Sequence, residues 1–94
     1  MTEDITSCCT KIMQHYGMQA QKLKLVEELA ELIHTTLKSP ANLITDAMVE
    51  EIADVEIMLA QVESVMSRDQ RQLQHDMTCY KLRRQIQRME DETE

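Results

Sequence analysis

Aromatic residues, glycine and proline are nearly absent from this chain of 94 residues. It has no Trp and no Phe, two Tyr, one Gly and one Pro. Because Gly and Pro are the residues that most often interrupt helices and form turns, their scarcity predicts long helices with very short connections. Eight Met, with Leu, Ile and Val, must fill the core, and flexible Met side chains specify packing weakly. We therefore expect one small domain, residues 1–94, with a marginal core that is completed by homo-oligomerisation.

Basic residues and cysteines are also scarce. Ten Lys and Arg against 17 Asp and Glu give a net charge of −7, which repels nucleic-acid polymers and anionic membranes and suits a site for divalent cations. The three Cys form no CxxC pair, so reduced thiols are expected rather than disulfides or structural zinc. No apolar run approaches the roughly 20 residues of a membrane span, and the acidic N-terminus does not resemble a signal peptide. These features predict a cytoplasmic protein.

Four helices are predicted, which makes the fold class an all-α antiparallel bundle with about four helices per chain. Gly17 should end the first helix by adopting the left-handed conformation. Thr45 is the expected N-cap of the third helix, and Ser67-x-x-Gln70 matches a capping box that opens the fourth. An acidic tail, residues 90–94, should be frayed. The predicted spans are about 3–16 within an N-terminal segment 1–16, then 18–37, 45–66 and 67–89.

Two acids interrupt the apolar face of the third predicted helix. At 100° per residue, Glu51 and Asp54 lie one turn apart inside the apolar arc. Burying a lone carboxylate costs several kcal/mol or forces it to take up a proton, so the pattern predicts a cation between them, most simply a hard metal ion. The alternatives are a misjudged helix phase or salt bridges to Lys or Arg. The apolar arc consists of Ile44, Ala47, Met48, Val55, Met58, Leu59, Val62 and Val65.

A second pair of acids should meet the first. Glu28 and Glu31 are three residues apart on the second predicted helix, so they lie on one face. The short loop at residues 39–42 makes the second and third helices antiparallel neighbours, and both acid pairs lie about equally far from it. Four carboxylates can then meet at one level and supply oxygens for one or two Mg²⁺ ions. Taken alone, the acids of the second helix would equally fit a solvated face.

Taken together, the two acidic segments resemble the MazG-like, all-α nucleoside triphosphate pyrophosphohydrolases. That family is marked by E-E-x-x-E on one helix and E-x-x-D on the next. In this chain the two motifs are Glu27-Glu28-x-x-Glu31 and Glu51-x-x-Asp54. The similarity extends weakly to Lys81-Leu82-x-Arg84 and covers about residues 17–88. Either motif alone is weak, and the combination with a helix-breaking loop between them is more specific.

The resemblance implies an enzyme that hydrolyses an NTP or dNTP to the monophosphate and pyrophosphate. It implies that Mg²⁺, or Mn²⁺ in its place, is held by four acids: Glu28, Glu31, Glu51 and Asp54. Glu27 would order the attacking water or act as its base, although a surface role fits it equally. Phosphate groups need cations, and family members often stack the base on an aromatic ring. The expected substrate-binding residues are Lys22, Tyr80, Lys81 and Arg84, each of which fits an ordinary solvated role as well.

Two other functions stay open. One is a module of the same fold that senses nucleotides without strong catalysis, and the other is an acidic helical adaptor that binds a partner through apolar stripes. Glu31-x-x-His34 matches half of a di-iron pattern, but Glu51 is followed by Asp54 where the second half needs His. As an enzyme, the protein should act as a homodimer or a dimer of dimers, because the apolar arc of the second helix is wide enough for more than one neighbour.

Overall fold

The computed structural model describes residues 4–93, which form four α-helices. They are α1 (Ile5–Tyr16), α2 (Met18–Lys38), α3 (Asp46–Ser64) and α4 (Arg68–Glu92). The prediction of an all-α chain with four helices is confirmed. None of the helices in this part of the chain is long and apolar enough to cross a membrane. The predicted start of the first helix at Glu3 lies outside the described residues.

Local sequence signals set the ends of α3 and α4. The hydroxyl of Thr45 accepts a hydrogen bond from the backbone N–H of Met48 at 3.2 Å, and Ser67 and Gln70 form both bonds of the predicted capping box, at 2.9 and 3.1 Å. α3 ends at Ser64, two residues before the predicted end, because the chain must turn before Ser67 can cap α4. α4 continues to Glu92, so residues 90–92 are helical where fraying was expected.

Gly17 connects α1 to α2 without a loop. Its φ of 88° is positive, as predicted, but its ψ of 162° lies outside the left-handed helical region. This combination of φ and ψ changes the direction of the chain within one residue, so that α2 begins at Met18. The Gly17 N–H donates to the carbonyl of Met13 at 2.8 Å, and its carbonyl accepts from the N–H of Gln21 at 3.1 Å. One glycine thus closes one helix and opens the next, in a conformation that residues with a Cβ rarely adopt.

The core lies between α1, α2 and α3. Gln21 of α2 and Gln61 of α3 are buried in it, and the Gln21 amide donates to the Gln61 side-chain oxygen at 2.7 Å. The Gln61 amide also reaches the sulfur of Met58 at 3.6 Å, so both polar side chains have partners. The buried apolar side chains are Cys9, Met13, Val55 and Met58. This set is small for a chain of this length, as the composition predicts.

Much of the predicted apolar surface is not covered. The predicted apolar arc is only partly buried, since Ile44, which precedes α3, is 71% exposed and Leu59 of α3 is 42% exposed. On α2 a longer stripe faces solvent, with exposures between 61% and 80%. This α2 stripe consists of Leu23, Val26, Ile33 and Leu37. The reason is that α1 and α3 cover only one side of α2, and no helix among residues 4–93 covers the other.

α4 projects from the unit formed by the first three helices. None of its residues is buried. The Cα radius of gyration of the described chain is 16.7 Å, whereas a compact domain of this length has about 12 Å. The four helices therefore do not close into a bundle within one chain, and α4 leaves a face without a neighbour.

Candidate functional site

Three carboxylates from α2 and α3 meet in one cluster. Glu28 comes from α2, and Glu51 and Asp54 come from successive turns of α3. One oxygen atom of each lies within 4.8 Å of the others. Glu28 is buried, whereas Glu51 and Asp54 are half-buried. The short connection between the helices makes them antiparallel neighbours and brings the acids to one level. These three residues are termed the carboxylate cluster.

Lys24 neutralises part of the cluster. Its Nζ lies 3.3 Å from Oε1 of Glu28 and 3.4 Å from Oε2 of Glu27. The hydrogen bond to Glu28 is the main cause that raises the pKa of Lys24. Lys24 and Glu28 are four residues apart on a helix, a spacing that predicts such a pair, yet Lys24 is not among the residues expected at the site. One lysine against three carboxylates leaves the cluster negative.

Glu51 and Asp54 have no cationic partner among the described residues. The ion pairs in residues 4–93 are those of Lys24 and one between Arg71 and Glu63. Both acids lie beside the buried Val55, at the edge of the face that α3 turns to the core. Within the described chain, therefore, salt bridges do not explain why two acids interrupt this face.

Two buried oxygen atoms of the cluster lack a hydrogen-bond partner within the described part of the chain. They are Oε2 of Glu28 and Oε2 of Glu51. Buried carboxylate oxygens are normally paired, because an unpaired one loses its hydration without compensation. A hard divalent cation prefers carboxylate oxygens and would supply this missing partner. The donor set therefore fits Mg²⁺ or Mn²⁺.

Burial and like charges raise the pKa of two acids in this region. Burial, followed by the charges of Asp54 and Glu28, raises the pKa of Glu51 above its ordinary value of 4.5. The charge of Glu28, followed by burial and the charge of Glu51, raises the pKa of Glu31. Glu31 is thus coupled to the cluster by charge and by side-chain hydrogen bonds with Glu28 and Glu51, although it is not one of the three acids whose oxygens lie within 4.8 Å of one another. Its side chain is exposed at the edge, and its role as a fourth ligand stays a prediction.

A depression in the surface adjoins the cluster. It is lined by Glu27, Glu31 and Glu51 together with His34. The side chain of Glu27 is 58% exposed, so solvent reaches the residue that the sequence predicts as the water-directing acid. His34 lies three residues after Glu31, so the two residues share a face of α2. In the sequence, this pair matches only half of a di-iron pattern.

The four predicted substrate-binding residues do not line this depression. Lys22 and Lys81 line a different groove, between α2 and α4. The guanidinium carbon of Arg84 lies 5.6 Å from the centre of the Tyr80 ring, and that ring is 62% exposed. Within one chain, the structure therefore separates these residues from the surface beside the carboxylates. Their roles stay predictions.

Comparisons of this chain with known protein families, with curated proteins and with solved structures found no match. The resemblance to MazG-like enzymes therefore depends on the two acidic motifs. The geometry adds that acids from both motifs, which are separated in sequence by the interhelical loop, meet in space.

Proposed function

We propose that this protein is a Mg²⁺-dependent nucleoside triphosphate pyrophosphohydrolase of the MazG-like type. The observation that carries the proposal is the carboxylate cluster, where acids of both motifs meet and two buried oxygens lack partners within residues 4–93. A site of this kind is unfavourable without a cation and favourable with one. The reaction, from an NTP or dNTP to the monophosphate and pyrophosphate, follows from the resemblance of the motifs.

Glu28, Glu51 and Asp54 would hold the ion, with Glu31 as the fourth ligand. When bound, Mg²⁺ cancels the repulsion between the cluster and a triphosphate and lowers the pKa of a bound water. The charge of Glu28 is the main cause that raises the pKa of Glu31, and the charges of Asp54 and Glu28 add to the effect of burial on the pKa of Glu51. The negative charge of these side chains therefore repels a triphosphate unless a cation compensates it.

Glu27 is the acid that we assign to the attacking water, which it would orient or deprotonate. Its exposed carboxylate lies at the depression, and Lys24 holds it beside Glu28. The lysine restricts the position of Glu27 without burying it, which suits a group that must meet solvent and substrate. Four residues are proposed to bind the substrate: Lys22, Tyr80, Lys81 and Arg84.

We also propose that the functional unit is a cytoplasmic homo-oligomer, a homodimer or a dimer of dimers. The support is the exposed α2 stripe and the projection of α4, which leave apolar side chains in solvent. Contiguous apolar surface of this kind marks an interaction site in most stable proteins. Sedimentation would contradict this part if the chain stayed an 11.0 kDa monomer at high micromolar concentration.

Turnover measured across the ribo- and deoxynucleoside triphosphates tests the proposal. We expect pyrophosphate as the first phosphorus product, loss of turnover in EDTA, and recovery with Mg²⁺ or Mn²⁺. Ca²⁺ should replace them poorly, because it prefers longer bonds and more ligands. Glu51→Gln should abolish turnover, and Glu56→Gln, an exposed acid on the same helix, should not. Orthophosphate as the first product, or turnover that persists in EDTA, would contradict the proposal.

The same measurements separate the two other candidates. The α2 stripe favours a binding role of some kind, so an acidic helical adaptor is the second candidate. It predicts neither turnover nor any response to nucleotides. Heat stabilisation by a nucleotide with Mg²⁺, without turnover, would instead select a nucleotide-sensing module of the same fold.

A further inference from the structure

The depression beside the carboxylate cluster is lined by an imidazole as well as by carboxylates. Glu31 and His34 line it from α2, and Glu51 lines it from α3. The two residues of α2 are exposed, and Glu51 is half-buried. One nitrogen donor and two carboxylates therefore share a surface that solvent and small cations can reach.

The spacing along α2 places the imidazole beside a carboxylate. Residues three apart in a helix lie on one face, about 4.5 Å apart along its axis. In helical bundles with metal centres, Glu-x-x-His directs one carboxylate and one imidazole inward, and facing helices supply further carboxylates. Here the pair is Glu31 and His34, and Glu51 is the carboxylate from the facing helix. The second Glu-x-x-His of a di-iron centre is missing from α3, so this set of ligands suits a single ion.

The two carboxylates of this set meet across the helix pair. A side-chain hydrogen bond joins Glu31 to Glu51, although two ionised carboxylates repel each other at such a distance and need a proton or a cation between them. Oε2 of Glu51 is buried without a hydrogen-bond partner in the described chain. The imidazole of His34 likewise has no hydrogen-bond or ion-pair partner within residues 4–93. All three side chains thus have donor atoms that a cation can use.

Charge favours a second ion beside the one proposed for the carboxylate cluster. The cluster has three carboxylates, and Glu27 and Glu31 add two at the depression. Lys24 pairs with two of these acids, and five negative charges against one positive charge leave a net charge of about −4. One Mg²⁺ ion balances half of this charge. A second dication at the depression would balance the rest.

Ligand type determines which ion the set binds. Mg²⁺ prefers oxygen ligands and keeps several waters, whereas imidazole nitrogen suits transition metals. We propose that Glu31, His34 and Glu51 form a second cation site, which binds a transition-metal dication such as Co²⁺ or Zn²⁺ in preference to Mg²⁺. The carboxylates of Glu31 and Glu51 have two oxygens each, so they can also serve the ion of the carboxylate cluster.

The second ion would lie at the depression where the exposed Glu27 meets solvent. There it would bind a triphosphate oxygen or the attacking water, so the metal at this place would affect the rate of hydrolysis. This catalytic consequence rests on the proposed function, whereas binding of the ion does not.

Co²⁺ tests the site without any substrate. An imidazole bound directly to Co²⁺ gives an N–H proton resonance far outside the diamagnetic range, and an unbound imidazole gives none. With Mg²⁺ in excess, the parent protein should bind Co²⁺ and show this resonance. His34→Gln removes the nitrogen ligand, so it should abolish the resonance and weaken Co²⁺ binding about tenfold or more in isothermal titration calorimetry, with less than about a twofold change for Mg²⁺. His34 is exposed, and circular dichroism should show unchanged helix content.

His75→Gln is the matched control. His75 is also exposed on a helix, and its Nε2 lies 3.6 Å from the sulfur of Cys79, so this pair is another place where an imidazole could bind Co²⁺. The resonance should persist in His75→Gln. Asp54→Asn separates the two ions, because Asp54 belongs to the carboxylate cluster and does not line the depression. This variant should lose most of its Mg²⁺ binding and keep the resonance.

Four results would overturn the second site. They are a parent protein that shows no resonance, a resonance that persists in His34→Gln, equal weakening of Mg²⁺ and Co²⁺ by His34→Gln, or loss of the resonance in Asp54→Asn. If the site passes these tests but the parent hydrolyses no nucleoside triphosphate with either ion, the proposed function fails and the metal site stands. If Mg²⁺ supports turnover and the resonance is absent, the metal site fails and the proposed function stands.

Discussion

Replacing Asp54 with Asn distinguishes a metal site from an ordinary ion pair. The change keeps the size of the side chain and removes one of three negative charges whose oxygens lie within 4.8 Å. In a metal site, the metal-free protein carries this repulsion without compensation, and the substitution relieves it. We therefore expect the Asp54→Asn protein to be at least as stable as the parent in EDTA and to lose turnover.

The size of the gain follows from the geometry. Two like charges at 4.8 Å repel by about 1 kcal/mol at the dielectric constant of water and by about 3 kcal/mol at an effective value of about 20. Asp54 is half-buried and near solvent, so we expect a gain of about 1 kcal/mol in the free energy of unfolding. For a domain of this size that raises Tm by about 4–8 °C.

Mg²⁺ should act on the parent protein by mass action. A ligand at about 100 times its Kd that binds only the folded state adds about 2.7 kcal/mol, or about 10–20 °C in Tm. Replacing EDTA with excess Mg²⁺ should produce a shift of this order in the parent and a much smaller one in Asp54→Asn. Thermal melts followed by circular dichroism measure both effects in one series.

The competing explanation predicts the reverse. If Asp54 instead pairs with a cation in the assembled protein, its loss strands that cation and destabilises the fold by about 3–5 kcal/mol. A variant that melts far below the parent in EDTA, with an undiminished response to Mg²⁺, would refute the metal site. Glu56→Gln, which removes an exposed acid from the same helix, controls for the change in net charge.

Three further outcomes are expected. Burial and neighbouring carboxylates raise the pKa of Glu51 above 4.5, so between its unfolded and folded pKa the folded protein holds a proton that the unfolded chain has released. Metal-free stability should therefore rise as pH falls from neutral through the raised pKa toward the unfolded value, and Glu51→Gln should reduce this slope in pH-dependent melts. Gln61→Leu leaves the buried amide of Gln21 without its 2.7 Å partner and should cost about 1–3 kcal/mol in urea unfolding, with a smaller loss when both are Leu. Gly17→Ala meets no atom within 4 Å but must adopt a φ of 88° with an extended ψ of 162°, so it should lose about 1–3 kcal/mol through backbone strain alone. No change in Tm would show that the junction relaxes.

The helices could be predicted from the sequence because their ends are set locally. Thr45, Ser67 and Gly17 act on backbone groups a few residues away, and the structure places helix ends beside all three. The position of α4 could not be predicted in this way. Whether a helix packs on its own chain depends on all the surfaces that compete for it, and α4 has too few apolar residues for its sequence to decide the matter.

The cluster was predictable because helical spacing and one short loop determine it. Glu51 and Asp54 share a face by their spacing, and the loop sets the level at which Glu28 meets them. The role of Glu31 as a ligand stays a prediction, because three residues of helix rotate it by about 60° from Glu28 and its side chain is exposed. The ion pair between Lys24 and Glu28 was not predicted as part of the site. The spacing of several nearby acids fits Lys24, and the sequence does not show which of them is buried.

The buried pair of Gln21 and Gln61 has a consequence for the acids that it does not touch. Gln21 lies seven residues before Glu28, and Gln61 lies seven residues after Asp54, so the amides sit about 10 Å from the acids along both helices. Apolar contacts tolerate a slip of one helical turn between neighbouring helices, whereas this slip would leave two buried amides unpaired. The amide pair thus fixes the axial register of α2 against α3. A single 2.7 Å hydrogen bond therefore keeps the acids of the two motifs at one level.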